Sequence, residues 1–184
     1  MKICAALTLI VLAIAPTWLA AEVADSSASG FTVKITITIQ ASPEEVYYRL
    51  VRNVGDWWSP EHTYSHDPHN LSIEEKAMGC FCEKWAKGNV RHMEVVNLQP
   101  GKVLVLTGAL GPLQSLAASG NMRISLSPAV GGTKLEATYA VFGYLPQGVN
   151  TWAAPVDSVL TEQFTRLKTY VEGGAAALKP PPSK

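Results

Sequence analysis

Glu83 is the residue whose type and setting point most directly to chemistry. It stands in the run Cys80-Phe81-Cys82-Glu83-Lys84-Trp85. Alternation along a strand puts Phe81, Glu83 and Trp85 on one face and Cys80, Cys82 and Lys84 on the other. With the aromatic face inward, a carboxylate lies between two rings. Desolvation would there raise its pKa and suit it to acid–base work or to holding a ligand hydroxyl. Paired with Arg91 or a backbone amide, or turned outward, the same residue is purely structural. Cys80 and Cys82 share a face with Cα atoms about 6.5 Å apart by strand rise, at the long edge of disulfide reach. A bridge and a pair of small apolar fillers are both open.

His62, His66 and His69, with Asp67 beside them, have a spacing compatible with zinc ligation. Pro68 interrupts any helix that would align them, so no metal is expected. The chain has no GxSxG elbow, no convincing Ser-His-Asp order, no dinucleotide fingerprint and no phosphate-cradling GxxxxGK loop, so no cofactor is expected either.

Positioning these side chains falls to a regular series of elements. Phe31, Val33, Ile35, Ile37 and Ile39 alternate with polar residues, which predicts a strand with one buried face. Ser42-Pro43-Glu44-Glu45 is a capping box: Ser42 caps, Pro43 takes the first helical position and Glu45 reaches back. Val46, Tyr47, Leu50 and Val51 follow at helical spacing, and Val54 with Trp57-Trp58 extends a second short helix that Pro60 ends. After a polar loop over 60–70, strands are predicted at 71–76, 79–86, 89–98, 102–108, 119–128 and 132–143. Turns fall at Lys87-Gly88-Asn89, Pro100-Gly101 and Gly131-Gly132. A helix over 152–172 gathers Val156, Val159, Leu160, Gln163, Phe164, Leu167, Tyr170 and Val171 on one stripe. Gly173-Gly174 stops it, and 173–184 reads as a disordered tail.

This order predicts an α+β two-layer fold, a curved seven-stranded antiparallel sheet against one long helix. One helix does not fill a strongly bent sheet, so a cavity is expected between them. The stretch 108–118 carries no charge; a lid on that cavity or a segment tucked into the core is preferred to a membrane or partner contact.

The 184 residues are 47% hydrophobic and 16% charged, with 15 basic and 15 acidic side chains and no net charge. That balance excludes a broad basic surface, and with it a nucleic-acid groove or a polybasic membrane patch. The apolar content excludes a disordered acidic chain. Lys2 precedes an apolar run from Ile3 to Ala15 broken only by Thr8, and Leu19-Ala20-Ala21 follows. This pattern reads as a signal peptide over 1–21, too short to span a bilayer. Cleavage after Ala21 removes Cys4 and leaves Cys80 and Cys82, which are no disulfide framework. Residues 22–30 read as a disordered lead and 31–172 as the domain. The product is expected to be secreted or periplasmic, without stable membrane insertion.

The element order, the Ser42-Pro43-Glu44-Glu45-Val46 helix start and the Trp57-Trp58 end of the helix pair resemble the START-like (SRPBCC, helix-grip) superfamily. Its members include birch-pollen-allergen-like proteins, polyketide cyclases and lipid-transfer domains. Gly79-Cys80-Phe81-Cys82-Glu83, Leu98-Gln99-Pro100-Gly101-Lys102-Val103-Leu104, Gly132-Thr133-Lys134-Leu135 and the segment from Ala154-Pro155-Val156-Asp157 to Leu167-Lys168 resemble its branch of activators of a heat-shock chaperone ATPase. The resemblance covers about residues 31–172. It implies a helix-grip fold, with two short helices after the first strand, around an apolar ligand cavity. A signal peptide separates the chain from a cytosolic chaperone, so that partner is not carried over.

Wall candidates for the cavity are Trp57, Trp58, Phe81, Trp85, Met93, Met122, Tyr139, Phe142 and Trp152, with Glu83 inside and His62 and Tyr64 at the mouth. The preferred function is an exported binding protein for a small hydrophobic molecule, lipid-like or aromatic. One alternative is a cyclase- or dehydratase-like enzyme in which Glu83, His62 or Tyr139 moves protons. Another is an envelope protein that acts through partner contacts. A lone buried carboxylate is thin for a catalytic constellation, which favours binding.

Overall fold

A computed structural model describes residues 20–174. Most of the leader and nearly all of the tail lie outside the described residues. The strands are β1 (Ala20–Ser27), β2 (Gly30–Ile39), β3 (Leu71–Ile73), β4 (Cys80–Trp85), β5 (Gly88–Gln99), β6 (Val103–Thr107), β7 (Ala118–Ala129) and β8 (Gly132–Gly143). The helices are α1 (Pro43–Arg52), α2 (Val54–Trp57) and α3 (Ala153–Gly173), with short 3-10 turns between elements.

The strands form one antiparallel sheet in the order β1-β2-β8-β7-β6-β5-β4-β3. In β2 every second side chain from Phe31 to Ile39 is buried, and in β8 Leu135, Ala137, Tyr139 and Val141 match them. These side chains meet Leu160, Phe164 and Leu167 of α3 in one continuous core. Phe142 falls on the outer face by the same alternation and is 57% exposed, so it is no part of a cavity wall. Lys168 Nζ donates to Thr38 O at 2.6 Å and pins α3 to β2. Ser42 caps α1, its Oγ accepting from the Glu45 amide at 3.3 Å. The Glu45 carboxylate does not reach back; it takes Arg49 Nε at 2.7 Å, one turn along.

The sheet has eight strands, not seven. The additional one, β1, occupies most of the lead that the sequence expects to be disordered. It pairs with β2 across the two-residue turn Ala28-Ser29, from Ser27 opposite Gly30 to Ala20 opposite Thr36. The described side chains of β1 are exposed on both faces, so no apolar alternation marks the strand. Glu22, Asp25 and an irregularity between Val23 and Asp25 blunt this edge against further pairing.

Leu167 is completely buried where α3 meets the sheet. Leu167→Ala is expected to lower unfolding stability by about 2–5 kcal/mol, read from denaturant curves.

Candidate functional site

The site begins with a loop that α3 holds in place. Arg166 Nε donates to Trp57 O at 2.8 Å and its Nη2 to Trp58 O at 3.5 Å. One turn earlier, Gln163 Oε1 accepts the Ser59 amide at 2.8 Å. These bonds satisfy the end of α2 and start the following loop at a fixed point. Trp58 Nε1 then donates to His62 O at 3.0 Å, and His62 Nε2 lies 3.1 Å from Glu162 of α3. The Trp58 ring packs edge-on against Phe81, with centroids 5.6 Å apart.

The middle of the loop is held by Glu83. Its Oε2 accepts the Tyr64 amide at 3.0 Å, its Oε1 accepts the Ser65 amide at 2.5 Å, and His92 Nε2 lies 3.1 Å from Oε2. Glu83 is completely buried and His92 is 5% exposed. Burial pushes the Glu83 carboxyl up, but the hydrogen bonds from Ser65, Tyr64 and His92 outweigh it and hold its pKa below the usual carboxylate range. The desolvation argument from sequence therefore gives the wrong direction, because amides from a distant loop are invisible in the strand pattern. Burial also depresses the His92 pKa, against the opposing pull of Glu83, so this imidazole is neutral at neutral pH.

His92 owes its aim to a bulge. β4 pairs Phe81 with Met93 and Cys82 with Arg91, which leaves His92 as an extra residue on β5. A bulge breaks alternation and re-aims a side chain, and here His92 and Met93 are both buried in sequence. Opposite it, Cys80 and Cys82 are joined as a disulfide with Cα atoms 5.3 Å apart, closer than an even strand allows. Phe81, between the two cysteines, lies under the His92 ring at 5.2 Å between centroids. Arg91 does not reach Glu83; it points out to Glu94 at 3.1 Å.

The uncharged stretch forms the opposite wall. Tyr139 Oη donates to Gly108 O and accepts from the Leu110 amide, both at 3.2 Å. Burial pushes this phenol up to about 12, so it stays protonated as a clamp. Gly120 makes room for the ring: a Cβ there would stand 2.8 Å from it. Leu113 anchors the stretch in the core. Gly111, at φ +54°, turns its carbonyl to Tyr64 Oη, which donates to it at 3.0 Å.

Between these parts lies a cavity of about 410 Å³. Of the residues singled out in the sequence, Trp58, His62, Tyr64 and Trp152 line it. Trp57, Phe81, Met93, Met122 and Tyr139 instead fill the core, and the Trp85 ring lies over Gly88 at the start of β5. Glu83 stands behind His92 rather than in the wall. Glu83, His62 and Tyr139 are thus engaged with different partners and do not converge. His92, Leu110 to Leu113, Val156, Val159 and Leu160 complete the lining together with Glu61, Thr63 and Pro155. The cavity lies at the N-terminal half of α3, between two loops, and His92 alone represents the sheet. The three loop histidines diverge: His62 faces Glu162, His69 lies 3.8 Å from Asp56 and His66 is exposed.

The depressed pKa values fix a pH dependence. As pH falls, the unfolded chain protonates its histidine first, near about 6.5, and its glutamate near about 4.3, while the folded pair resists both. Stability should therefore be full above about pH 6.5 and fall in two stages below it. In His92→Gln the first stage should shrink, as read from urea midpoints against pH. Thiol titration of the unfolded, unreduced chain should find neither Cys80 nor Cys82 free.

No protein-family model matches the sequence, and no curated protein does. Solved structures do match in shape. The Aha1 protein of Colwellia psychrerythraea is 16% identical, with 78% of this chain and 97% of that one covered at a TM-score of 0.55. CalU16 of Micromonospora echinospora is 15% identical, with 90% and 87% covered at 0.55. DynU16, from the dynemicin biosynthetic locus, is 15% identical, with 79% and 49% covered at 0.54. The chain therefore has the fold of these proteins, in agreement with its resemblance to the START-like superfamily.

Proposed function

We propose that this chain is an exported binding protein for a small, mainly apolar molecule held between α3 and the two loops. The observation that carries the reading is the cavity itself, walled by Trp58, Trp152, Leu110, Leu113, Val156 and Leu160. Its volume suits a ligand of a few fused rings, and pockets of this kind pair apolar walls with a few placed polar groups. The shared fold with CalU16 and DynU16 supports a ligand-binding or cyclase-like role. Export is supported by the leader pattern at residues 1–21 and by the Cys80–Cys82 bridge, a bond that persists in oxidising compartments. Among the described residues no helix is long and apolar enough to cross a membrane. The even charge balance speaks against a nucleic-acid partner.

A second reading, cyclase- or dehydratase-like turnover, is favoured by the buried Glu83–His92 pair, whose imidazole stands in the wall with Glu83 behind it. Here Glu83 acts through His92 and would not itself touch a substrate.

Trp58 and Trp152 report occupancy. Naphthalene should change tryptophan fluorescence saturably at one equivalent, and Val156→Trp, which fills the cavity, should weaken that binding about tenfold or more, a loss of about 1.4 kcal/mol. A linear, unsaturable response, or unaltered affinity in the variant, overturns the reading. Native mass spectrometry of protein from its own host then identifies the carried molecule.

A further inference from the structure

We propose that the cavity selects molecules bearing an acidic hydroxyl, on an aromatic or enol carbon, and that Nδ1 of His92 is the atom that receives it. The inference deepens the binding reading above and rests on it.

The tautomer follows from Glu83. Its carboxylate already accepts two backbone amides and is held ionised, so it has no proton to give. The 3.1 Å contact with His92 Nε2 is then a hydrogen bond only if Nε2 carries the proton. Burial keeps the ring from taking a second proton. Nδ1 is therefore a bare acceptor. Among the described residues it makes no hydrogen bond, and it is not one of the unpartnered side-chain atoms buried away from solvent. Since His92 is 5% exposed and lines the cavity, that lone pair opens into it. An unpaired acceptor in an apolar wall is unfavourable until a donor arrives.

The surroundings narrow the donor's chemistry. Among the described residues no lysine or arginine lines the cavity, so a carboxylate headgroup, as on a fatty acid, finds no counter-charge there and meets a lone pair instead. The Tyr64 ring, which lines the cavity, lies 6.0 Å from the imidazole and favours a flat ring beside the donor. A neutral O–H on a planar carbon frame satisfies all of these conditions.

The test compares 1-naphthol with its methyl ether, 1-methoxynaphthalene, and with naphthalene, by tryptophan fluorescence on the full chain at neutral pH. The naphthol should bind about tenfold tighter than the ether. In His92→Phe that preference should vanish while naphthalene still binds. Glu83→Gln keeps one acceptor oxygen where the carboxylate presents two to the Tyr64 and Ser65 amides and to His92, and removes the charge that holds the imidazole proton on Nε2. The naphthol preference should then shrink. The ¹⁵N spectrum of the His92 ring, without ligand, should show the Nε2-protonated form in the native chain. Parity of naphthol and ether with naphthalene bound, or an Nδ1-protonated ring in the native chain, overturns this inference alone. Failure of naphthalene itself to bind overturns the cavity reading as well.

Discussion

A carboxylate completely removed from water has to be satisfied on every side, and the site is organised around that requirement at Glu83. An uncompensated buried charge costs several kcal/mol, so its neighbours are not free to vary independently. Two acceptor oxygens take three bonds: the amides of Tyr64 and Ser65, midway along the loop after α2, and the ring of His92 on β5. One side chain thereby sets the path of a loop, the orientation of an imidazole and the ionisation of both.

The other parts of the site are built to meet that centre. Arg166 and Gln163 of α3 fix the start of the loop whose middle Glu83 holds, so Trp58, His62 and Tyr64 are suspended between two anchored points. The β5 bulge brings His92 to the carboxylate, and the Cys80–Cys82 bridge shortens β4 directly opposite. Tyr139 contributes from two strands away by clamping Gly108 and Leu110. The core residues thus serve the cavity indirectly, by holding the backbone that lines it.

The sequence made the regular parts of this arrangement readable. Alternation in Phe31–Ile39 and Leu135–Val141, the Ser42 cap and the stripe of α3 each carry a period that survives into the fold. β1 was hidden because exposure on both faces leaves no apolar period. His92 was hidden because a bulge is an interruption of the period by which strands are recognised. Trp57 and Trp58 are adjacent and alike, yet one enters the core and the other the cavity wall; that choice is made by the loop's anchors on α3, which sequence spacing does not encode.

The contact between Tyr64 Oη and the Gly111 carbonyl also bears on how long a molecule stays inside. It is a single neutral hydrogen bond at a half-exposed side chain, worth about 0.5–1.5 kcal/mol net. The Tyr64 backbone is held by Glu83, and the facing stretch is anchored by Leu113 and Tyr139, so the part free to move is the tyrosine side chain. Rotamer changes at such positions take picoseconds to nanoseconds. For a molecule bound as proposed, residence time would be governed by how well it fits the walls, and exchange would not require any element to unfold.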